Sequence, residues 1–255
     1  MSEEGMLESY SWFNDENIKV GFTEKDRKFV NETSVALREA IKFFSEYFPL
    51  QKSFPQIRAI LVPDRKEYDH LVKELLKVDI ERPSEPNRVA QPQRTDLVLL
   101  APSAYSTDSI YEYSVKEYKR LIFHETTHMF EEYLSPNIEA SPRWWGEGLA
   151  VYLSEQWKYE DDFRAPVLEG LRNKNIPKIK EIQKDVKLSY QWGWTIVKYI
   201  DYCYGRKTIL NIVANCVDGD VFKMIGETIR SFERGWNKYL QKEFLTSADS
   251  VFAGS

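Results

Sequence analysis

Histidine is scarce in this chain, with three in 255 residues. Cysteine is scarcer still. Cys203 and Cys216 stand in one helical stretch without metal-ligand spacing, which excludes a disulfide framework and leaves buried free thiols as the expectation. Long apolar runs are missing too. The longest, such as 97–101 and 121–123, fall far short of the roughly 20 residues that span a bilayer, so no membrane span is expected. Basic residues do not outnumber acidic ones, at 35 Lys and Arg against 40 Asp and Glu, and the formal net charge is −5. Without a long basic run, electrostatic binding of nucleic acid or of an anionic membrane surface is not implied. The opening "MSEEGMLESYSWF" is acidic and has no positive segment leading into an apolar one, so it does not resemble a secretory signal and the expected compartment is the cytoplasm. No repeat at solenoid periods and no low-complexity tract interrupts the chain.

What is present is an apolar fraction of 42%, enough for a real core. "YSWF" and "NIKVGF" flank a polar "NDE" and predict a hairpin, and Lys25 to Tyr47 has helical apolar spacing. "IRAILVP" predicts a buried strand, followed by a helix over 65–77 that carries His70 on a surface face. The proline-rich, polar stretch 82–96 predicts a long surface loop, ending in a further strand, "LVLLA". Beyond about 114 the chain is mainly helical. The fold class expected is therefore α+β: one domain over 1–255, with a mixed sheet-and-helix lobe over about 1–137, a helical lobe over about 138–246, and a frayed tail at 247–255.

Two of the three histidines, His124 and His128, sit four residues apart in "RLIFHETTHMFEEYL". This segment predicts a helix over 114–134 with Tyr118, Leu121, Ile122, Met129 and Tyr133 on one apolar face. Residues at i and i+4 have Cβ atoms about 5–6 Å apart on the same side of a helix, so both imidazoles can converge on one point. Glu125 lies within the apolar stripe, where an ionised carboxylate is unfavourable unless compensated. A divalent metal accounts for all three: the imidazoles bind it, and the carboxylate faces a water on the metal.

Zinc held by protein usually needs a third ligand. Pro136 ends the first helix, and "SPRWWGEGLAVYLSE" predicts a second, with Ser141 as N-cap and Pro142 as the first helical residue. For an antiparallel pair, about 9 Å of climb from His128 to Leu134 and about 7.5 Å of descent from Pro142 return Glu147 to nearly the level of His128. Gly146, Gly148 and Ala150 remove side-chain bulk, and the expectation is that they let the second helix approach the first.

His124-Glu125-Thr126-Thr127-His128, followed by Trp145-Gly146-Glu147-Gly148-Leu149-Ala150, resembles the gluzincin branch of the zinc metallopeptidases. The spacing is similar to that of the alanyl aminopeptidase family, and the general layout to the compact peptidase-MA-like group. The resemblance implies a zincin-like catalytic domain, with Zn2+ held by His124, His128 and Glu147 and Glu125 as general base toward a metal-activated water. It also implies a tyrosine near the start of the helix in "LSYQWGWTIVKYIDYCYG" as oxyanion donor, which by that match is Tyr190, and an edge strand, "LVLLA", that pairs with extended substrate. Trp192 and Trp194 are expected in the core.

Three features depart from these families. No Gly-x-Met-Glu-Asn segment is present, which removes support for an exopeptidase. Val151 stands where thermolysin-like enzymes place an aspartate, and "VAQPQRTD" replaces the glycine that often precedes the edge strand. The expected function is a zinc-dependent peptidase, an endopeptidase, acting on peptide or protein substrates. The alternatives are a metal-stabilised interaction module with little or no turnover, and a helical partner-binding surface in which the metal is incidental.

Overall fold

Three strands with almost continuous apolar sequence set the architecture of the first part of the chain. β2 (Ile18–Phe22), β3 (Ile57–Val62) and β5 (Asp96–Leu100) are buried along nearly their whole length, as expected of parallel strands covered on both faces. They run parallel, β2 beside β3 and β3 beside β5. Antiparallel strands close the two edges, β1 (Ser11–Asn14) on β2 and β4 (Ala90–Gln93) on β5, giving the order β1-β2-β3-β5-β4. The computed structural model describes residues 3–48 and 50–245, so the expected tail at 247–255 lies outside the described residues.

The sheet corrects two expectations at once. The stretch 82–96 is not all loop, because it contains β4, and "LVLLA" forms most of β5, which is internal rather than an edge. "AQPQ" carries no β-branched or aromatic residue, so nothing local marks it as a strand. Antiparallel pairing imposes it: Ala90 faces Leu99 and Gln93 faces Asp96 across a two-residue turn in which Arg94 takes φ 54°. Pro92 fits there because an edge strand tolerates a missing N–H. The rest of the segment is tied down by polar contacts. Ser84 donates its N–H to the buried Asp69 carboxylate at 3.0 Å, and Arg65 donates to Ser84 Oγ at 3.0 Å and to the Asp108 carbonyl at 2.6 Å.

Helix α1 (Val30–Tyr47) packs on β2, and α2 (Arg65–Glu74) on β5 and β3. Asp64 caps α2 by accepting the Glu67 N–H at 2.9 Å. Residues 24–29, expected to open α1, instead form a separate 3₁₀ turn whose Asp26 is buried and accepts from Thr23 and Ser103 hydroxyls. Helix α3 (Val115–Leu134) follows, close to its expected bounds.

The chain divides into two compact units, Met1–Phe130 and Glu131–Ser255. The second is helical among its described residues: α4 (Arg143–Leu153), α5 (Asp161–Arg172), α6 (Val186–Tyr204), α7 (Arg206–Asn215) and α8 (Ile229–Leu240), with short turns between them. Together the sheet and the helices make an α+β protein. Trp192 and Trp194 are core residues, as expected. Trp194 donates to the Phe163 carbonyl at 3.2 Å, and Trp236 donates to Thr195 Oγ1 at 3.1 Å beside Trp192.

Among the described residues, no helix is long and apolar enough to cross a membrane. The two thiols differ. Cys216 is buried, and burial raises its pKa, whereas Cys203 is exposed, contrary to expectation, because it lies on the outward side near the end of α6. Ellman titration of the native protein is expected to find one reactive thiol, and the unfolded protein two; a Cys203→Ser variant should lose the native signal.

Candidate metal centre

Helix α3 is buried around most of its circumference in its second half. His124, Glu125, Thr126, Thr127, Met129 and Phe130 are all buried, and so is Glu131. The two threonines can be accommodated because each hydroxyl donates to a carbonyl one turn back, Thr126 to Ile122 at 2.7 Å and Thr127 to Phe123 at 2.9 Å. The apolar stripe is shorter than expected. Tyr118, Ile122 and Met129 are buried, but Leu121 is half-buried and Tyr133 is exposed, since the helix nears its end at Leu134.

One turn of α3 brings the imidazoles together. His124 Nε2 and His128 Nε2 lie 3.2 Å apart, with the ring centroids at 4.9 Å and the planes at 74°. Two nitrogens bound tetrahedrally at about 2.0–2.1 Å would stand about 3.3 Å apart, so this separation suits a shared cation as it stands. Glu147, on α4, completes a group with them. One ligand atom from each of the three residues lies within 4.8 Å of the others. His124 is buried, while His128 and Glu147 are half-buried, which leaves the group partly open. The donor set, two imidazoles and one carboxylate, is one that divalent transition metals accept.

Local sequence explains how α4 presents Glu147. The helix begins at Arg143, with Pro142 as its N-cap residue; Ser141 and Pro142 were expected one position earlier in those roles. Pro142 keeps an extended backbone, and its carbonyl accepts the Trp145 N–H at 2.8 Å. Trp144, Trp145, Leu149, Ala150 and Val151 are buried, so α4 is anchored by apolar side chains on more than one side. Val151 is part of that core.

Gly148 has a different purpose from the one expected. A Cβ on Gly148 would stand 2.4 Å from the carbonyl carbon of Gly193, and a Cβ on Gly193 would stand 2.4 Å from the carbonyl oxygen of Trp144. The two glycines therefore let α4 and α6 cross backbone against backbone, and it is α6 that Gly148 admits. Tyr152 Oη, one turn on, donates to Asp201 at 2.7 Å and ties the same two helices. Tyr190 is the fifth residue of α6 and half-buried; it sits one turn before Gly193, near the end of the crossing that carries Glu147. It is not a cap, because Asp185 caps α6 by accepting the Leu188 N–H at 2.9 Å.

His70 is half-buried on α2 and lines an open groove of about 850 Å³ with Asp64, Arg65 and Arg82. It is not one of the residues grouped around the imidazole pair. Glu131 was not anticipated. Its signal was available, since 124, 128 and 131 follow helical spacing, but a glutamate near a helix end gives no local reason to be read as buried.

A scan against models of known protein families finds no match for this chain, and a search of curated proteins finds none either.

The glycine crossing generates a stability prediction. Gly193→Ala would force a methyl into the Trp144 carbonyl, and overpacking of this kind costs about 1–3 kcal/mol. Urea unfolding should show a lower midpoint at unchanged m-value, whereas Gly205→Ala, where nothing lies within 4 Å of the added Cβ but φ is +77°, should cost about 1 kcal/mol from backbone strain alone.

Proposed function

We propose that the protein is a zinc-dependent peptidase of zincin-like fold, with His124, His128 and Glu147 as metal ligands. The observation that carries this reading is the 3.2 Å approach of the two Nε2 atoms, with a Glu147 oxygen in the same small group. Supporting it, a mixed sheet precedes the helix that bears the two histidines, and helices follow it.

A zinc ion bound there would act as a Lewis acid and lower the pKa of water toward neutrality. The chain supplies the rest. Glu125 follows His124 directly and is buried, so its carboxylate is held in a medium of low dielectric, where proton transfer to and from it is effective. Its role is to take a proton from the attacking water and return it to the leaving amine. Tyr190, one turn from the α4–α6 crossing, is the donor toward the oxyanion of the tetrahedral intermediate. The substrate is an extended peptide or protein segment cleaved internally.

Metal analysis of the purified protein should find about one zinc per chain, with His124→Ala and Glu147→Ala each losing it. With zinc retained, Glu125→Gln is expected to lower turnover of a quenched peptide library by roughly 10²–10⁴. Absence of bound zinc after reconstitution, or full turnover by Glu125→Gln, would refute the assignment. Tyr190→Phe should reduce kcat by about 10²–10³ with KM little changed, and an unchanged kcat would remove Tyr190 from the site.

A further inference from the structure

Glu147 lies within one helical turn of α4 that the backbone of α6 touches directly. A Cβ at Gly193 would meet the Trp144 carbonyl oxygen first, then Gly148 Cα at 3.1 Å and Gly148 N at 3.3 Å. In an α-helix the carbonyl of residue 144 accepts the N–H of residue 148, so these atoms are the two ends of the hydrogen bond that closes the turn. Trp145, Gly146 and Glu147 are the residues it encloses. Gly148 returns the contact, since a Cβ there would meet the Gly193 carbonyl group and, at 2.9 Å, Trp194 N.

What braces Gly193 decides which helix yields. Trp192 packs edge-on against Trp236 with ring centroids 6.2 Å apart, and Trp194 stacks on Trp157 at 5.0 Å and donates to the Phe163 carbonyl at 3.2 Å. Thr195 Oγ1 accepts the Trp236 indole N–H at 3.1 Å. Trp192, Trp194 and Thr195 are all buried. The α6 backbone is therefore held on both sides of Gly193 by contacts with α5, α8 and residue 157. Helix α4 is the shorter, 11 residues against 19, so a methyl at position 193 would act on its turn 144–148. A Cβ does not approach a backbone oxygen within 3.0 Å, and relief of the clash moves that turn by more than about 0.5 Å, the tolerance within which a site's side chains have to be held.

We propose that Gly193 is a positioning residue for Glu147: by lacking a side chain it seats the turn 144–148 against α6 and so fixes where the carboxylate stands. Tyr152, whose hydroxyl donates to Asp201 at 2.7 Å, holds the same crossing just past that turn. The metal affinity of the site is thereby set from a helix that carries none of the three ligands. The consequence for zinc rests on the proposed metal centre; the seating of α4 does not.

Zinc affinity of the full chain, measured by competition with a chromophoric chelator, tests the proposal. Gly193→Ala should bind zinc about 10- to 100-fold more weakly than wild type, and its cobalt-loaded form should show an altered visible spectrum. Gly235→Ala, whose Cβ would press on the Tyr199 hydroxyl from α8, and Gly205→Ala, at the far end of α6, disturb the same helix away from α4. Both should match wild type in zinc affinity and cobalt spectrum even where they lose stability. If Gly193→Ala does not fold, Tyr152→Phe decides, with a loss of at least about threefold in zinc affinity expected. Wild-type affinity in Gly193→Ala, or in Tyr152→Phe where that variant decides, would overturn the proposal, and so would an equal loss in Gly235→Ala. A wild-type chain that binds no zinc would instead refute the metal centre, and the proposal with it.

Discussion

Two imidazoles one helical turn apart, with their Nε2 atoms at hydrogen-bond distance, are the constraint on which the candidate site depends. Their approach requires an unbroken helix through Thr126 and Thr127, two residues whose hydroxyls would otherwise compete with helical geometry. Donation to carbonyls four residues back resolves that competition, so both can be buried without losing a turn. Burial of Glu125 beside them is then a matter of chemistry as well as packing. A carboxylate in that position is unfavourable unless it is compensated.

Glu147 depends on a different solution, inside the second unit. A short helix that ends in loops would not hold a ligand firmly by itself. Here the Gly148–Gly193 contact brings the α4 and α6 backbones together, and buried tryptophans fix α4 on its other sides. Glycine costs about 1 kcal/mol in a helix interior relative to alanine, and the close crossing offsets that by burying both helices against each other. The same crossing sets where Tyr190 stands relative to Glu147, which is why one packing device bears on two proposed roles.

The first unit uses buried polar groups in a comparable way. Asp69 holds the proline-rich segment through Ser84, Asp26 holds the 3₁₀ turn through Thr23 and Ser103, and Arg58 makes a two-pronged pair with Asp96 across β3 and β5 at 2.7 and 2.9 Å. Asp69 and Asp26 fix a proline-rich segment and a 3₁₀ turn, whereas the half-buried Arg58–Asp96 pair links two neighbouring regular strands. Tyr68 and Tyr105 differ from them in having hydroxyls that no described side chain satisfies.

Much was legible in the residues themselves. Continuous apolar runs marked β3 and β5, the hairpin ahead of them followed from polar "NDE", and the spacing in "HETTH" put both histidines on one side of α3, because periodicity is a local property. Strand β4 could not be read, since "AQPQ" becomes a strand only through its partner, and with it went the identity of the sheet edge. Gly148 announced a close approach but not to which helix. Cys203 was expected buried as a free thiol and Tyr133 was placed on the apolar face by its spacing, and the direction in which each helix faces decided otherwise. Sequence by itself determined the α+β class, the helix of the two histidines and the donor types available. Only tertiary structure decided which strand is outermost, which helix Gly148 meets and that Glu131 is buried, because each depends on a partner far along the chain that no local pattern encodes.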